Sequence, residues 1–487
     1  MMAKSAVRST LIYGIGRLVG GFASFITLPI YTKNLSPSDY GTVELLVLLV
    51  ELAALLIGAK ITAGMFRFYS EANSAQEKQN VFSSTLYFIT VLYSVALGAL
   101  WLAASALEAH LGISEDGWLV RIFSLTLLLT GCNELFLAHL RIQDKPITFV
   151  SINIGKLILQ VIFCLYFIWY KNMGYWGVVY ASILSNLAVS IFFLFTSTRF
   201  LTWQLDFVFI KKLYIFSWPI IVSSFGMYLI NFGDRYFINT YLGTAAVGLY
   251  ALAYKFGLLL FSLIWSPFAM YWEPQQYIYA KQEKSSQLFG EVFLNINIII
   301  LFAAAALINV APLLIDLIAD PAYQEAGRYV PFIVIGYVFH AWSDFMRFGL
   351  LKSGKTIHIT YATYLSVAVI LLLFILLIPQ YGLLGAAIAT LACFVSRFCY
   401  IAIAGNREFF VQVPYRAMLV VLAMASISCV VIAQLNFRSW TGIFIIGILY
   451  LFILAMLLCL PWLKTQRNYL LTIITNNALF KRVFKLT

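Results

Sequence analysis

Three basic residues stand deep inside long apolar runs, and they are the groups in this chain most able to do chemistry. Arg17 lies about seven residues into the run 10–31, Lys156 about nine into 147–169, and Lys255 about ten into 245–270. A charge near mid-bilayer costs roughly 2.5 to 3.5 kcal/mol on insertion scales, so it faces a bundle interior, a wet cavity or an internal partner. On a helix, Thr10, Tyr13, Arg17, Gly20, Gly21 and Ser24 share one small, polar face, with Leu11, Leu18, Phe22, Phe25 and Ile26 opposite. Thr244, Gly248, Ala251, Lys255, Ser262 and Ser266 form a second such stripe with a cation at mid-depth, whereas Lys156 has none. Beside a binding role stand two alternatives: Arg17 snorkelling to the headgroups, and Lys255 in an ion pair with an acidic neighbour.

The acids follow the same logic. Glu44 and Glu51, seven apart, share a face with Gly58 and Thr62, and Glu51 sits nearly at mid-membrane. It pairs with Arg17 on a neighbouring helix, the preferred reading, or it carries a coupling proton. Glu134, beside Asn133, is a similar lone acid. His340, Asp344 and Arg347, at spacings of four and three, stack on one face and suggest salt bridging or gate closure. That set is too small for a metal. Gly233-Asp234-Arg235 is expected to end a span over 211–233 on the outer side, as a gate latch or as a helix end at the headgroups. Ser36-Pro37 reads as N-cap and first helical residue of the next helix, which makes Asp39 either a first-turn acid favoured by the helix dipole or a gate. Lys60 and Arg397, near inner span ends, are expected to snorkel. Tyr228, Trp265, Tyr271 and Trp272 are expected in the interfacial aromatic belt, with sugar stacking as the alternative.

These charges sit on transmembrane helices. The chain has 487 residues, 62% hydrophobic and 11% charged, with a mean hydropathy of +0.91, and apolar runs long enough to span a bilayer recur throughout. That composition excludes a soluble globule and specifies an all-α polytopic membrane protein with about fourteen spans. Its net charge of +12 reflects cytoplasmic loops facing anionic lipid rather than nucleic acid. Twenty Lys and Arg fall in the loops and tails on the side of the N-terminus. The other side holds only Lys33, Arg121, Lys171, Arg235, Arg328 and Arg438. Both termini are therefore expected in the cytoplasm. The six cysteines show no paired spacing, no cleavable signal is expected, and no loop has room for a soluble catalytic domain. With no convergent acid–base set and no GxxxxGK phosphate loop, no catalytic residue, cofactor or metal is expected.

The chain repeats itself. NLSPSDYG (34–41) aligns with YLGTAAVG (241–248) at an offset of 207, pairing Gly41 with Gly248. MGYWGVVYA (173–181) aligns with YGLLGAAIA (381–389) at 208, pairing Gly174 with Gly382. Six spans separate the copies, and an even number preserves orientation, so the repeats are parallel. The expected organisation is a six-helix lobe over 1–205, a second over 206–408, and two further helices with a basic cytoplasmic tail over 409–487.

The opening LIYGIGRLVGGFASFITLPIYTKNLSPSDYG, the restart FSWPIIVSSFGMYLINFGDRYFI, the segment LGTAAVGLYALAYK and the twelve-plus-two layout resemble polysaccharide-unit (Wzx-type) flippases of the MOP transporter superfamily. The resemblance implies two lobes alternating between inward-open and outward-open. It also implies a cargo of undecaprenyl-diphosphate-linked oligosaccharide, moved from the cytoplasmic to the periplasmic leaflet of a bacterial inner membrane for O-antigen, capsule or exopolysaccharide synthesis. In that layout Arg17 and Lys255 face one cleft, where a diphosphate would be their counterpart, with Lys156 a secondary contact. Glu51, Glu134, Asp344, Arg347, Asp39, Asp234 and Arg235 are the gating or coupling candidates. Partners expected beyond the cargo and membrane lipids are a polysaccharide polymerase and a chain-length regulator, with the chain itself a monomer. The same superfamily contains lipid II flippases and MATE exporters, so a cation-coupled exporter remains an alternative, and a membrane enzyme of polysaccharide assembly a further one.

Overall fold

The computed structural model describes residues 25, 27–58, 61–113, 115–197, 201–202, 206–435 and 440–458. Among these residues the chain is helical, without a strand. Helices α1 (Pro37–Ile57), α2 (Ile61–Glu71), α3 (Ala75–Leu111), α4 (Trp118–Ile142), α5 (Pro146–Cys164) and α6 (Gly174–Ser197) come first. Then follow α7 (Phe207–Leu242), α8 (Thr244–Leu260), α9 (Ser266–Tyr279), α10 (Ser285–Ile318), α11 (Val330–Met346), α12 (Phe348–Lys352), α13 (Ile357–Glu408), α14 (Tyr415–Ala433) and α15 (Trp440–Leu458). Among the described residues nine helices are long and apolar enough to cross a membrane. The number is ten if the two halves of α7, bent by 46°, count as one span. The expected count of fourteen is not established by them, since it includes residues 10–24, which lie outside the described set.

Local sequence sets several boundaries. Ser36 caps α1 as expected: its side chain accepts the Asp39 N–H at 3.1 Å, and the Asp39 carboxylate accepts the Ser36 N–H at 3.1 Å, with Pro37 opening the helix. Ser74 and Glu77 repeat this reciprocal cap at α3. The repeat-related glycines share a backbone state, with φ of 56° at Gly174 and 59° at Gly382. Both lie in the left-handed region that a side chain disfavours, and Gly382 puts a kink in the 52-residue α13.

By its internal contacts the chain divides into two units. The first takes residues up to Lys255 with Ile318–Glu325 and Thr363–Cys393; the second takes Phe256–Leu317, Ala326–Ala362 and the chain from Phe394 onward. In the first unit, Ile61, Met65, Phe82, Leu127, Phe136 and Phe193 form a core, in which the Phe136 and Phe193 rings stack at 4.8 Å. In the second, Trp272 stacks on Phe345 at 5.6 Å and meets Phe289 edge-on. Since lipid tails are as apolar as these side chains, such packing stabilises the bundles through close contact rather than escape from water.

Two expectations are corrected here. Asp234 and Arg235 do not end a span, because α7 runs on to Leu242 with both residues buried inside it, 0% and 2% exposed. Their charges are matched by neighbours, so nothing forces the chain out to the headgroups. Of the four aromatics expected in the belt, Tyr228, Trp265 and Trp272 are buried and only Tyr271 is exposed.

Candidate functional site

The charges converge in the first unit along the seam where α1 meets α7 and α8. At its upper end the helices touch backbone to backbone. A Cβ on Gly41 would lie 1.9 Å from the Thr244 carbonyl oxygen, and one on Gly248 would lie 2.1 Å from the Pro37 oxygen. Thr244 is Pro37 shifted by the same 207 positions that relate Gly248 to Gly41, so the two contacts mirror each other. Close approach of this kind is what small residues permit in membranes.

One turn below Gly41, Glu44 receives two cations. Its Oε2 lies 3.3 Å from Arg235 Nε and its Oε1 lies 3.1 Å from Lys255 Nζ. Arg235 also holds Asp234 Oδ1 and the Asn231 carbonyl through Nη1, at 2.8 and 2.9 Å. Its guanidinium lies 5.1 Å from both the Phe232 and Tyr254 ring centres. Two acids and two bases make a cluster of zero formal charge, which is how buried charges are tolerated. Next along α1, Tyr228 donates to the Leu48 carbonyl at 2.7 Å.

Lys255 is the member of the cluster that is not sealed, with a side chain 21% exposed. With Glu44, Tyr31, Tyr40, Gln160 and Ser182 it lines a pocket of about 310 Å³. Val47, Phe123, Gln160 and Ser182 also line a second cavity, of about 420 Å³, so the two adjoin. The second cavity carries Glu51, Glu134 and Lys156, from α1, α4 and α5. Both carboxylates are exposed to it and Lys156 is half-buried. Lys156 therefore does not stand alone, although no polar stripe on its own helix announced its company. Arg17, the expected partner of Glu51 and of the cargo, lies outside the described residues, as does Lys60.

Asp344 and Arg347 belong to a separate network in the second unit. Arg347 bridges Glu273 at 2.6 Å and Asp344 at 3.4 Å. Arg397 lies 3.6 Å from the same Asp344 oxygen and donates to His340 Nδ1 at 2.8 Å, which requires a neutral imidazole there. The expectation that Arg397 snorkels is thus corrected: it is 4% exposed, because an imidazole and a carboxylate on α11 supply the acceptors that headgroups would have given. Asp39 is held in the α1 cap. The residue that sequence reasoning undervalued is Glu44, noted only as the heptad mate of Glu51. Its signal was the apolar continuation YFINTYL after Asp234-Arg235, which places that pair inside the membrane and in need of a partner.

Residues 6–274 match the family model described as "Polysaccharide biosynthesis protein". Over 241 residues the chain is 26% identical to the succinoglycan biosynthesis transport protein ExoT of Rhizobium meliloti (strain 1021). That match covers 48% of this chain and 46% of the relative, so the chain spans less than half of that relative's length. Among solved structures it is similar to the lipid II flippase MurJ in an inward closed conformation, with a TM-score of 0.70, 14% identity, and 94% and 98% of the two chains covered. It is also similar to an inward-facing multidrug resistance MATE family transporter of the MOP superfamily, with a TM-score of 0.68, 16% identity, and 81% and 97% covered. At these identities the likeness is one of fold.

Proposed function

The chain belongs to the polysaccharide biosynthesis protein family, and we propose that it is a transporter rather than an enzyme, moving an undecaprenyl-diphosphate-linked oligosaccharide across the bacterial inner membrane by alternating access. The direction is from the cytoplasmic to the periplasmic leaflet, with both termini in the cytoplasm. The observation that carries this reading is Lys255, an ammonium deep in an apolar helix, held by Glu44 and still open to a pocket. A diphosphate arriving there competes with Glu44 for Lys255 through charge-assisted hydrogen bonds. As Glu44 is displaced, α1 loses its salt bridges to α8 and α7, which weakens the seam and links cargo binding to its opening. A ligand shifts a conformational equilibrium only by binding one state better, and the competition with Glu44 supplies that difference. Arg17 serves as the second cation from the first span. The lobes are 1–205 and 206–408, with 409–487 outside their symmetry, so that α1 belongs to one lobe and α7 and α8 to the other. The chain works as a monomer alongside a polysaccharide polymerase and a chain-length regulator.

A MATE-like exporter of organic cations is the second reading, favoured by the excess of acid over base at Glu51, Glu134 and Lys156. Lys255, the member of the seam cluster that is open to the pocket, weighs against it. The test is the amount of lipid-linked oligosaccharide left on the cytoplasmic leaflet, with protein level measured alongside. Lys255→Ala should accumulate it and Lys255→Arg should clear most of it; wild-type clearance by a normally expressed Lys255→Ala would refute the cationic site.

A further inference from the structure

The salt bridges on the seam leave one polar group beside them unused. Tyr40 stands on α1 one turn before Glu44 and lines the same pocket of about 310 Å³. Its side chain is buried, 2% exposed, and its ring is held by two others, 6.1 Å from the ring of Tyr31 and 6.4 Å from that of Tyr323. Both neighbours have their hydroxyls engaged elsewhere: Tyr31 with Cys164 Sγ at 3.6 Å, and Tyr323 donating to the Leu35 carbonyl at 3.1 Å. The Tyr40 hydroxyl lies by the Glu44 carboxylate and yet makes no hydrogen bond. Buried polar groups are nearly always bonded, so a fixed hydroxyl without a partner points to a second state in which it has one. At positions i and i+4, Tyr40 and Glu44 are neighbours on one face of α1. Glu44 here gives Oε1 to Lys255 and Oε2 to Arg235. Of the two cations Lys255 is the one open to the pocket, so Oε1 is the oxygen that an arriving anion would release.

We propose that Tyr40 is the positioning residue of this exchange: its hydroxyl donates to the Glu44 oxygen that Lys255 gives up when an anionic cargo takes the ammonium. This rests on the flippase reading, in which a diphosphate competes with Glu44 for Lys255. A carboxylate stripped of its ammonium in a poorly solvating seam would oppose the exchange. A phenol already in place one turn away offsets that cost, because an O–H donating to a carboxylate is a charge-assisted bond and is stronger in a low dielectric than in water.

The experiment titrates the purified full chain in mixed micelles with undecaprenyl diphosphate, which carries the anion and no sugar. It records the dissociation constant, and the thermal midpoint without ligand. Tyr40→Phe keeps the ring and removes only the hydroxyl. It should weaken binding by about tenfold or more, the worth of a hydrogen bond to a charged group. The midpoint without ligand should stay at or above that of wild type, because the hydroxyl bonds to nothing in that state. In a Glu44→Gln background, where no carboxylate is released, the same substitution should change the constant by less than about twofold. An unchanged constant in Tyr40→Phe overturns the proposal, and a lowered midpoint beside it would make Tyr40 a packing residue. An equal loss in both backgrounds also overturns it, since the hydroxyl would then contact the cargo itself. If wild type binds the probe and Lys255→Ala does not, the flippase reading survives either result. If wild type does not bind it, that reading falls and the role of Tyr40 with it.

Discussion

Replacing Glu44 by Gln removes a group that joins α1 to two cations at once. At 3.1 and 3.3 Å, the two attractions amount to about 5 kcal/mol each before desolvation, at an effective dielectric constant near 20. Desolvation has already been incurred by the fold, so truncating the carboxylate leaves the penalty with less of the compensation. The cluster passes from zero charge to +1, Arg235 keeps Asp234, and Lys255 loses the one salt bridge it makes among the described residues. Breaking a buried pair in this way costs about 3 to 5 kcal/mol. The assay is reversible unfolding in mixed micelles on wild type, Glu44→Gln, Lys255→Met and the double variant. The double variant removes both charges and should be more stable than the sum of the singles implies by about 1 to 3 kcal/mol. Additivity within about 0.5 kcal/mol would refute the pairing. It would also remove the competition by which cargo is proposed to loosen the seam.

Two further perturbations probe the surroundings. Gly41→Ala and Gly248→Ala should each destabilise the α1–α8 contact by more than about 1 kcal/mol, because the added methyl meets a backbone oxygen that cannot move aside as a side chain would; thermal melts equal to wild type would show that the helices do not approach so closely. Arg397→Met should cost about 3 kcal/mol in unfolding measurements, since it strips the half-buried Asp344 and His340 of a shared, buried partner. A loss under about 1 kcal/mol would return Arg397 to the headgroups.

The membrane class, the α1 cap and the repeat were all legible in the residues because each follows from local rules. Apolar runs must span, Ser-Pro before an acid must start a helix, and glycines recurring at offsets of 207 and 208 mark backbone demands that recur too. Gly174 and Gly382 meet the same demand separately, by adopting the same φ, whereas Gly41 and Gly248 meet theirs against each other. Lys255 was legible as a site candidate because a cation at that depth needs an anion somewhere. Which anion was decided by tertiary structure alone. Glu44 and Arg235 are 191 positions apart, and Arg397 and His340 are 57 apart. Helix periodicity says which side chains share a face, but not which face of another helix lies opposite. Glu51, one helical face with Glu44 and equally charged, lines instead a cavity with Glu134 of α4 and Lys156 of α5, although α7 still packs on α1 at that depth through Leu48, Leu55 and Tyr228.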